Sequence, residues 1–260
     1  MKILKLGQMI GGSNSPSAGG FENLYSLAFD GINDFVTIPN LTGYTGSIAG
    51  WSISFWLKTT ASNKPIITKN STTNKEWLVQ IDKTNPYPFI VLYGNNDTLI
   101  FQKLILNVDV ADGNWHNIIF TFANTAHHSG LNAYVDGVAY SDSIGNATYS
   151  NTGVWAPMGN TAQPVLFASM DTSFTACNLD EISLYDAPIG ATAAAEIYNS
   201  GSPTDILSVS LPVGVNLKGW WRNGDTAGTS VYPTIEDYSS FANQGTMTNM
   251  TSGDIVTDVP

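Results

Sequence analysis

One segment, residues 51–59, constrains the fold more than any other part of the chain. Large apolar side chains alternate along it with small or polar ones. Because successive side chains of an extended strand point to opposite faces, this alternation predicts a β-strand with one apolar face. The predicted inner face comprises Trp51, Ile53, Phe55 and Leu57, and the predicted outer face comprises Ser52, Ser54, Trp56 and Lys58.

Similar short segments follow along the chain, separated by turn signals such as Asp112-Gly113-Asn114 and Asp136-Gly137. Only residues 192–198 have a helical pattern, with Thr192 as a candidate N-cap. Many short strands bounded by such turns predict an all-β sandwich or barrel. The other predicted strands are residues 25–29, 35–38, 65–69, 76–81, 89–93, 99–104, 115–122, 131–135, 165–168, 179–185 and 218–222.

The chain is acidic and poor in charged residues. Its formal net charge is −11, and Asp, Glu, Lys and Arg make up 12% of its residues, about half of the usual fraction. So few basic residues make nucleic acid a poor partner and disfavour binding to an anionic membrane, and we expect neither nucleic-acid binding nor membrane insertion. Divalent cations, neutral sugars and proteins with basic patches remain. The single cysteine, Cys177, excludes an intramolecular disulfide.

Three segments lie outside the predicted sandwich. Residues 1–20 end in a Gly- and Ser-rich stretch, which predicts either a disordered tail or an arm that docks on a neighbouring subunit. We expect no signal peptide there and no membrane-spanning segment. Residues 202–217 predict a linker, and residues 218–260 predict a segment that supplies a strand to the sandwich or to a neighbour.

Six short motifs follow one another in a fixed order. They are LAFDGINDFV at 27–36, ISFWLK at 53–58, DGNWH at 112–116, YVDG at 134–137, LDEISLY at 179–185 and EIYNSG at 196–201. Their order and content resemble those of laminin-G-like, concanavalin A-like domains. The resemblance implies an all-β, antiparallel two-sheet jelly-roll sandwich over residues 21–201.

A seventh motif is displaced. Many members of this family carry a tryptophan-led segment before the first strand, whereas the similar stretch in this chain, residues 219–247, comes last. We hypothesise that the C-terminal segment supplies the first strand, as in a circular permutation, which is plausible where chain termini lie close together. A strand donated to a neighbouring subunit is the alternative.

The turn after the first predicted strand carries Asp30, Asn33 and Asp34. The resemblance implies that Asp180 lies beside this turn and that these residues hold a structural Ca²⁺, which takes about six to eight oxygen ligands. The alternative is that the carboxylates only accept hydrogen bonds from turn amides.

The sequence offers no pair of catalytic carboxylates. Glycosidases need two carboxylates close together across the sugar bond, and the glutamates of this chain are isolated from one another in sequence. It also lacks a Gly-x-Ser-x-Gly nucleophile turn and a Gly-rich phosphate-binding loop. We therefore predict no catalytic residues and no enzymatic activity.

Four tryptophans are candidates for contact with a glycan or a partner protein, because aromatic rings stack on sugars and anchor interfaces. They are Trp56, Trp77, Trp155 and Trp221. The alternative is that most of them fill the core. A regular strand directs Trp56, and one residue of the Trp220-Trp221 pair, away from the core.

Two functions fit these observations. The first is a virion structural protein, either a capsid decoration or a fibre component, which is located in the virus particle and contacts other virion proteins or copies of itself. The composition and the terminal segments favour it, as does a resemblance to virion proteins of marine phages. The second is a lectin-like module that binds a cell-surface glycan or receptor.

Overall fold

The structure is a computed structural model that describes residues 21–39, 41, 50–71, 73–93, 99–105, 108–123, 130–140, 147–150, 161–225 and 232–260, with backbone alone for 99–105 and 147–150. The N-terminal segment 1–20 lies outside them. The strands are β1 Ser26–Asp30, β2 Phe35–Ile38, β3 Trp51–Thr59, β4 Lys64–Asn70, β5 Lys75–Ile81, β6 Pro88–Tyr93, β7 Leu99–Ile105, β8 Trp115–Phe122, β9 Leu131–Val135, β10 Val138–Tyr140, β11 Ala147–Ser150, β12 Val165–Phe167, β13 Ser169–Met170, β14 Ser173–Phe174, β15 Ala176–Tyr185, β16 Leu217–Trp221, β17 Thr234–Ile235, β18 Gly245–Thr248 and β19 Ile255–Val256.

These strands form two large antiparallel sheets and a small β13–β14 hairpin. The eight-stranded sheet runs in the order β10-β9-β8-β3-β15-β1-β19, with β16 also paired to β15. The nine-stranded sheet runs β11-β7-β6-β5-β4-β12-β2-β18-β17. The non-sequential order of neighbours is typical of jelly-roll connections between two packed sheets. The predicted all-β, two-sheet jelly-roll sandwich is confirmed.

The main core lies between the two sheets. Trp51, Phe55 and Leu57 of β3 face it, as the alternation predicts, and each is fully buried. Ser52, Ser54 and Trp56 on the outer face of β3 are also buried, because residues after β15 cover this part of the strand. Ser52 lies on this outer face, where its hydroxyl donates to the Ala187 carbonyl at 2.9 Å and accepts from the Ile189 amide at 3.0 Å. A small polar side chain therefore lets a second layer approach the sheet.

That second layer consists of helix α1, Ala191–Tyr198, and the connector that follows it, which includes a short 3-10 turn at Ile206–Ser208. Together with Trp220 they bury a second apolar cluster on the back of the eight-stranded sheet. The helix lies where the sequence predicts it. Its N-cap is Gly190, without a side-chain cap, so the prediction that Thr192 caps it is wrong. No helix among the described residues is long and apolar enough to cross a membrane.

The C-terminal segment pairs with both sheets of its own chain. Strand β16 pairs with β15, placing Trp221 opposite Ile182, while β18 pairs with β2 and β19 with β1. Beyond β19, the Asp258 carboxylate accepts hydrogen bonds from Lys58 of β3 and from the indole of Trp115 at 3.1 Å. These contacts join the end of the chain to the middle of the eight-stranded sheet.

Candidate functional site

Three of the four candidate tryptophans are buried, and the fourth, Trp155, lies outside the described residues. Trp77 packs on Trp51 in the main core with ring centroids 5.3 Å apart. Trp221 is also in the main core, 5.6 Å from Phe167. Trp56 points away from this core, as predicted, but the ring of Tyr198 on α1 covers it at 5.9 Å.

The expectation that Trp56, Trp77 and Trp221 form an exposed binding surface is therefore wrong. Their exposed fractions are 2%, 0% and 0%. The alternation correctly separates the two sides of each strand, but it gives no information on the helix and connector that cover the back of the sheet. Trp220 is the member of its pair that faces away from the main core, and it too is buried, in the second cluster.

The predicted calcium ligands are not brought together. In the β1–β15 register Asp30 pairs with Ala176, so Asp180 lies four residues further along β15, about 13 Å away at the usual rise per residue. Asp180 contacts Asn23 instead, at 2.9 Å. The predicted set of Asp30, Asn33, Asp34 and Asp180 is therefore wrong as a single site.

Within the turn itself, the carboxylates already accept hydrogen bonds. The Asp30 Oδ1 atom accepts from the amides of Ile32 at 2.7 Å and Asn33 at 3.2 Å, and the Asp34 carboxylate accepts from the Asp30 amide at 3.1 Å. No group of three or more Asp, Glu, His or Cys residues in the described part of the chain could hold a metal ion. The turn residues therefore do not fit the predicted Ca²⁺ site. Binding of Ca²⁺ by the chain stays a prediction, and calorimetric titration with Ca²⁺ tests it.

Sequence reasoning missed a buried cluster of charges on the back of the eight-stranded sheet. A bulge interrupts the β15–β3 pairing after Asp180, and Glu181 adopts a left-handed backbone with φ of 46°. Both oxygens of Glu181 are used: Oε1 accepts from Arg222 Nε at 3.0 Å, and Oε2 accepts from Trp220 Nε1 at 2.6 Å. The Arg222 guanidinium lies 4.5 Å from the ring centre of Phe21, close enough for cation–π attraction.

This cluster raises the pKa of its carboxyl groups. Burial raises the pKa of Glu181 to about 7, although Arg222 and Trp220 act in the opposite direction. Burial also raises the pKa of Asp180 well above its usual value, and the neighbouring Glu181 charge adds to the effect. The pKa of Asp225 is also raised, mainly because the carboxyl group is partly buried.

The same cluster anchors residues 21–25, which lead into β1. The Asp225 carboxylate accepts from the backbone amides of Leu24 at 2.8 Å and Tyr25 at 3.1 Å. Arg222 Nη2 donates to the Glu22 carbonyl. Its charges are thus engaged in holding the chain, which favours a structural role over a catalytic one.

Beside this cluster, an open pocket of about 510 Å³ lies between the connector and the loop after Asp237. Its walls combine apolar side chains with one cation, one amide and two hydroxyls. The lining residues are Leu207, Val215, Asn216, Leu217, Lys218, Ser239, Ser240 and Phe241. We call it the C-terminal pocket.

Two carboxylates hold the walls of the C-terminal pocket. Asp237 accepts hydrogen bonds from the amides of Trp220, Ser239 and Asn243, each at 2.8 Å, and so shapes the loop that carries Ser239, Ser240 and Phe241. Asp186 pairs with Lys218 at 3.2 Å. It also accepts from the Asn216 amide at 2.8 Å.

The ammonium group of Lys218 lies 4.4 Å from the ring centre of Phe241. Burial acts to raise the pKa of Asp186, but hydrogen bonds from Asn216 and Lys218 outweigh it and hold that pKa below its usual value. The Asp186 carboxyl group is therefore ionised near neutral pH, and its ion pair with Lys218 leaves the pocket without a free cation at that position. Such a pocket can bind a polar, uncharged ligand with an apolar face.

The two-sheet fold defines a jelly-roll module of the laminin-G-like type. A family model described as the concanavalin A-like lectin/glucanases superfamily matches residues 30–196. The chain therefore belongs to the concanavalin A-like lectin/glucanase superfamily. No curated protein matches the chain in sequence.

Among solved structures, a candidate carbohydrate-binding protein from Bacteroides ovatus is similar with a TM-score of 0.61 at 12% identity, over 92% of this chain and 62% of that one. The laminin α1 LG4-5 fragment from mouse gives 0.49 at 12% identity, over 90% of this chain and 58% of that one. A heptameric pentraxin from Limulus polyphemus gives 0.45 at 11% identity, over 75% and 95%. The chain thus spans less than two thirds of the first two structures, and at these identities the likeness concerns the fold alone.

Proposed function

We propose that this protein is a non-enzymatic binding module and that the C-terminal pocket binds a neutral carbohydrate. The observation that supports the proposal is the composition of that pocket, whose lining includes the aromatic residue Phe241 together with Ser239, Ser240 and Asn216. Sugars present apolar C–H faces and a rim of hydroxyls, so they bind surfaces that combine aromatic rings with polar side chains.

The size of the pocket suits such a ligand. Its volume of about 510 Å³ falls within the range of about 300–1,000 Å³ found for small-molecule sites. Its openness to solvent would admit one end of a longer glycan. The Bacteroides ovatus protein of similar fold is itself described as a candidate carbohydrate-binding protein, which agrees with this ligand class.

The pocket lacks the groups needed for glycoside hydrolysis. None of its lining residues is an aspartate or a glutamate, whereas hydrolysis requires two carboxyl groups about 5–10 Å apart. Asp186 and Asp237 do not line the pocket. The Asp186 carboxylate forms an ion pair with Lys218, and the Asp237 carboxylate accepts hydrogen bonds from backbone amides. A binding module without catalysis is therefore the function that the pocket supports best.

A glycan array tests this proposal. The purified chain should bind a defined set of neutral glycans, and binding should persist in EDTA, since the pocket contains no acidic ligands for a metal. A Phe241→Ala variant should lose this signal, while a Tyr25→Ala variant, changed at an exposed aromatic residue outside the pocket lining, should keep it. An array without binding, or polysaccharide hydrolysis by the pure protein, would contradict the proposal.

A structural role in a virus particle is our second proposal, with the virion as location and with virion proteins or further copies of this chain as partners. It is supported by the low charged fraction of 12% and by the apolar residues within segment 1–20, which suit an arm that docks on a neighbouring subunit. Native mass spectrometry of the full chain should then show a closed homo-oligomer. A monomer at all concentrations, with genes unrelated to capsid, portal or tail assembly on either side, would contradict it.

A further inference from the structure

Lys69 and Glu76 meet in the interior of the protein. Lys69 ends the regular pairing of β4 and lies opposite Trp77, and a bulge in β5 at this point leaves Glu76 without a strand partner. The two side chains are in contact and only 1% and 0% exposed. Burying two charges carries a desolvation cost of several kcal/mol per ion unless their remaining hydrogen-bonding groups are satisfied.

The hydrogen bonds around Glu76 fall on one oxygen only. Oε1 accepts from Lys69 Nζ, from the Thr161 amide at 2.5 Å and from the Thr161 hydroxyl at 2.7 Å. Oε2 is buried and has no hydrogen-bond partner among the described residues. An ionised carboxylate normally accepts hydrogen bonds on both oxygens, and a buried oxygen without a donor costs about 1–3 kcal/mol.

Lys69 is also incompletely satisfied as an ammonium group. Its Nζ contacts Glu76 Oε1 and donates to the Thr161 carbonyl at 2.8 Å. An ammonium group has three donors, and the third finds no acceptor among the described residues. As an ion pair, the two side chains therefore leave one buried acceptor and one buried donor without a partner in the described part of the chain.

We propose that Lys69 and Glu76 condense to an intramolecular isopeptide bond that joins β4 to β5. A secondary amide has one acceptor oxygen and one N–H donor. The oxygen, derived from Oε1, keeps the two hydrogen bonds from Thr161, and the N–H keeps its bond to the Thr161 carbonyl. Condensation removes Oε2 and the surplus N–H groups, so no polar atom of the pair is left without a partner.

The surroundings supply what the condensation needs. Burial lowers the pKa of Lys69, which favours the neutral amine, the nucleophilic form. After a first proton has passed from Nζ to Oε2, Nζ attacks Cδ while the two Thr161 donors stabilise the negative charge that develops on Oε1. The Nζ–Cδ bond forms, the Cδ–Oε2 bond breaks, and a proton passes from Nζ to Oε2, which leaves as water. The reaction needs no oxidant, reductant or cofactor.

Peptide mass spectrometry of the purified full chain tests the cross-link directly. Trypsin does not cleave after an acylated lysine or between Lys64 and Pro65. The cross-linked protein should therefore yield residues 59–75 joined to residues 76–83, with a mass lower by one water molecule than the sum of the two peptides. Fragmentation should place the loss between Lys69 and Glu76.

Two variants control this measurement. Lys69→Met cannot condense, and its digest should contain the linear peptide 76–83, whereas Lys58→Arg, changed within an exposed ion pair, keeps the tryptic site and should keep the branched peptide. A Thr161→Val variant should slow cross-linking because it removes the hydroxyl donor. Recovery of the wild-type chain as separate peptides 59–69, 70–75 and 76–83 would overturn the proposal, as would a water loss located elsewhere, for example at an Asp-Gly turn.

Discussion

Glu181 is the residue at which burial and charge oppose each other most directly. Its carboxyl group is 3% exposed, it receives hydrogen bonds from Arg222 and Trp220, and Asp180 and Asp225 lie nearby. One arginine thus faces three carboxyl groups, with Glu22 also close to Asp225. The balance favours neutral carboxyl groups, and the pKa of Glu181 is raised to about 7.

This shift predicts a pH-dependent stability. A carboxyl group whose pKa is raised in the folded state stabilises the fold below its unfolded pKa, about 4.3, and this contribution disappears as the pH rises through the folded pKa. For Glu181 this loss of stability therefore takes place between about pH 4 and about pH 7. We expect the melting temperature to fall across this range, and Glu181→Gln, which stays neutral, should flatten the slope in thermal scans.

His116 provides a control for this prediction. Its hydrogen bond to Asp136 at 2.7 Å is the main cause of a raised pKa. A raised histidine pKa likewise gives stability that is present at low pH and lost as the pH rises through it. The stability contribution of His116 is lost above about pH 6.5. His116→Gln should therefore flatten the plot of melting temperature against pH only at its upper end. An unchanged slope in Glu181→Gln would contradict a raised pKa at Glu181.

Sequence and structure agree less well for single residues than for strands. The alternation in residues 51–59 correctly predicts which side chains of β3 face the main core. It cannot show that α1 covers Trp56, since Tyr198 is distant in sequence. The calcium prediction fails for a similar reason: strand register, which decides the distance between Asp30 and Asp180, is not encoded in either motif alone.

At the level of elements, β16 is the strand on which both the sandwich and the pocket depend. It adds Trp221 to the main core and Trp220 to the second cluster, and it carries Lys218 into the C-terminal pocket. Successive side chains of one strand serve the two layers because they point to opposite faces. The sequence indicated this strand through its displaced motif, but not the pocket that it helps to form.

Removing the Trp221 side chain should weaken the sandwich strongly. The ring is fully buried, packs against Phe167, and donates from Nε1 to the Asn243 carbonyl at 2.8 Å. Trp221→Ala should lower the free energy of unfolding by about 3–5 kcal/mol, measured by urea denaturation. Val213→Ala, at a fully exposed connector position, should change it by less than about 0.5 kcal/mol. Equal effects of the two variants would contradict the placement of β16.

The loop after β17 should depend on Asp237. Its carboxylate accepts three backbone amides and also the Ser239 hydroxyl at 2.8 Å. Asp237→Ala leaves those donors without their acceptor, at a cost of about 1–3 kcal/mol. We expect faster hydrogen exchange at the amides of residues 238–243 while β3 stays protected. Unchanged exchange in the loop would show that Asp237 does not shape the pocket.

For the whole molecule, the order of six motifs predicted the fold correctly even though the identity to the Bacteroides ovatus structure is only 12%. Strand alternation and turn signals act locally, so they can be read from sequence. The C-terminal pocket could not be predicted in this way. It joins Leu207 of the connector, Lys218 of β16 and Phe241 of the following loop, and only the tertiary fold brings them together.

Calorimetric titration of the glycan selected on the array tests the central proposal most directly. The wild-type chain should bind it with one site per chain. Phe241→Ala should weaken the affinity by about fivefold, since stacking on an aromatic ring contributes about 1 kcal/mol. Tyr25→Ala should bind as the wild type does. Equal affinity of the wild type and Phe241→Ala would contradict a carbohydrate site in the C-terminal pocket.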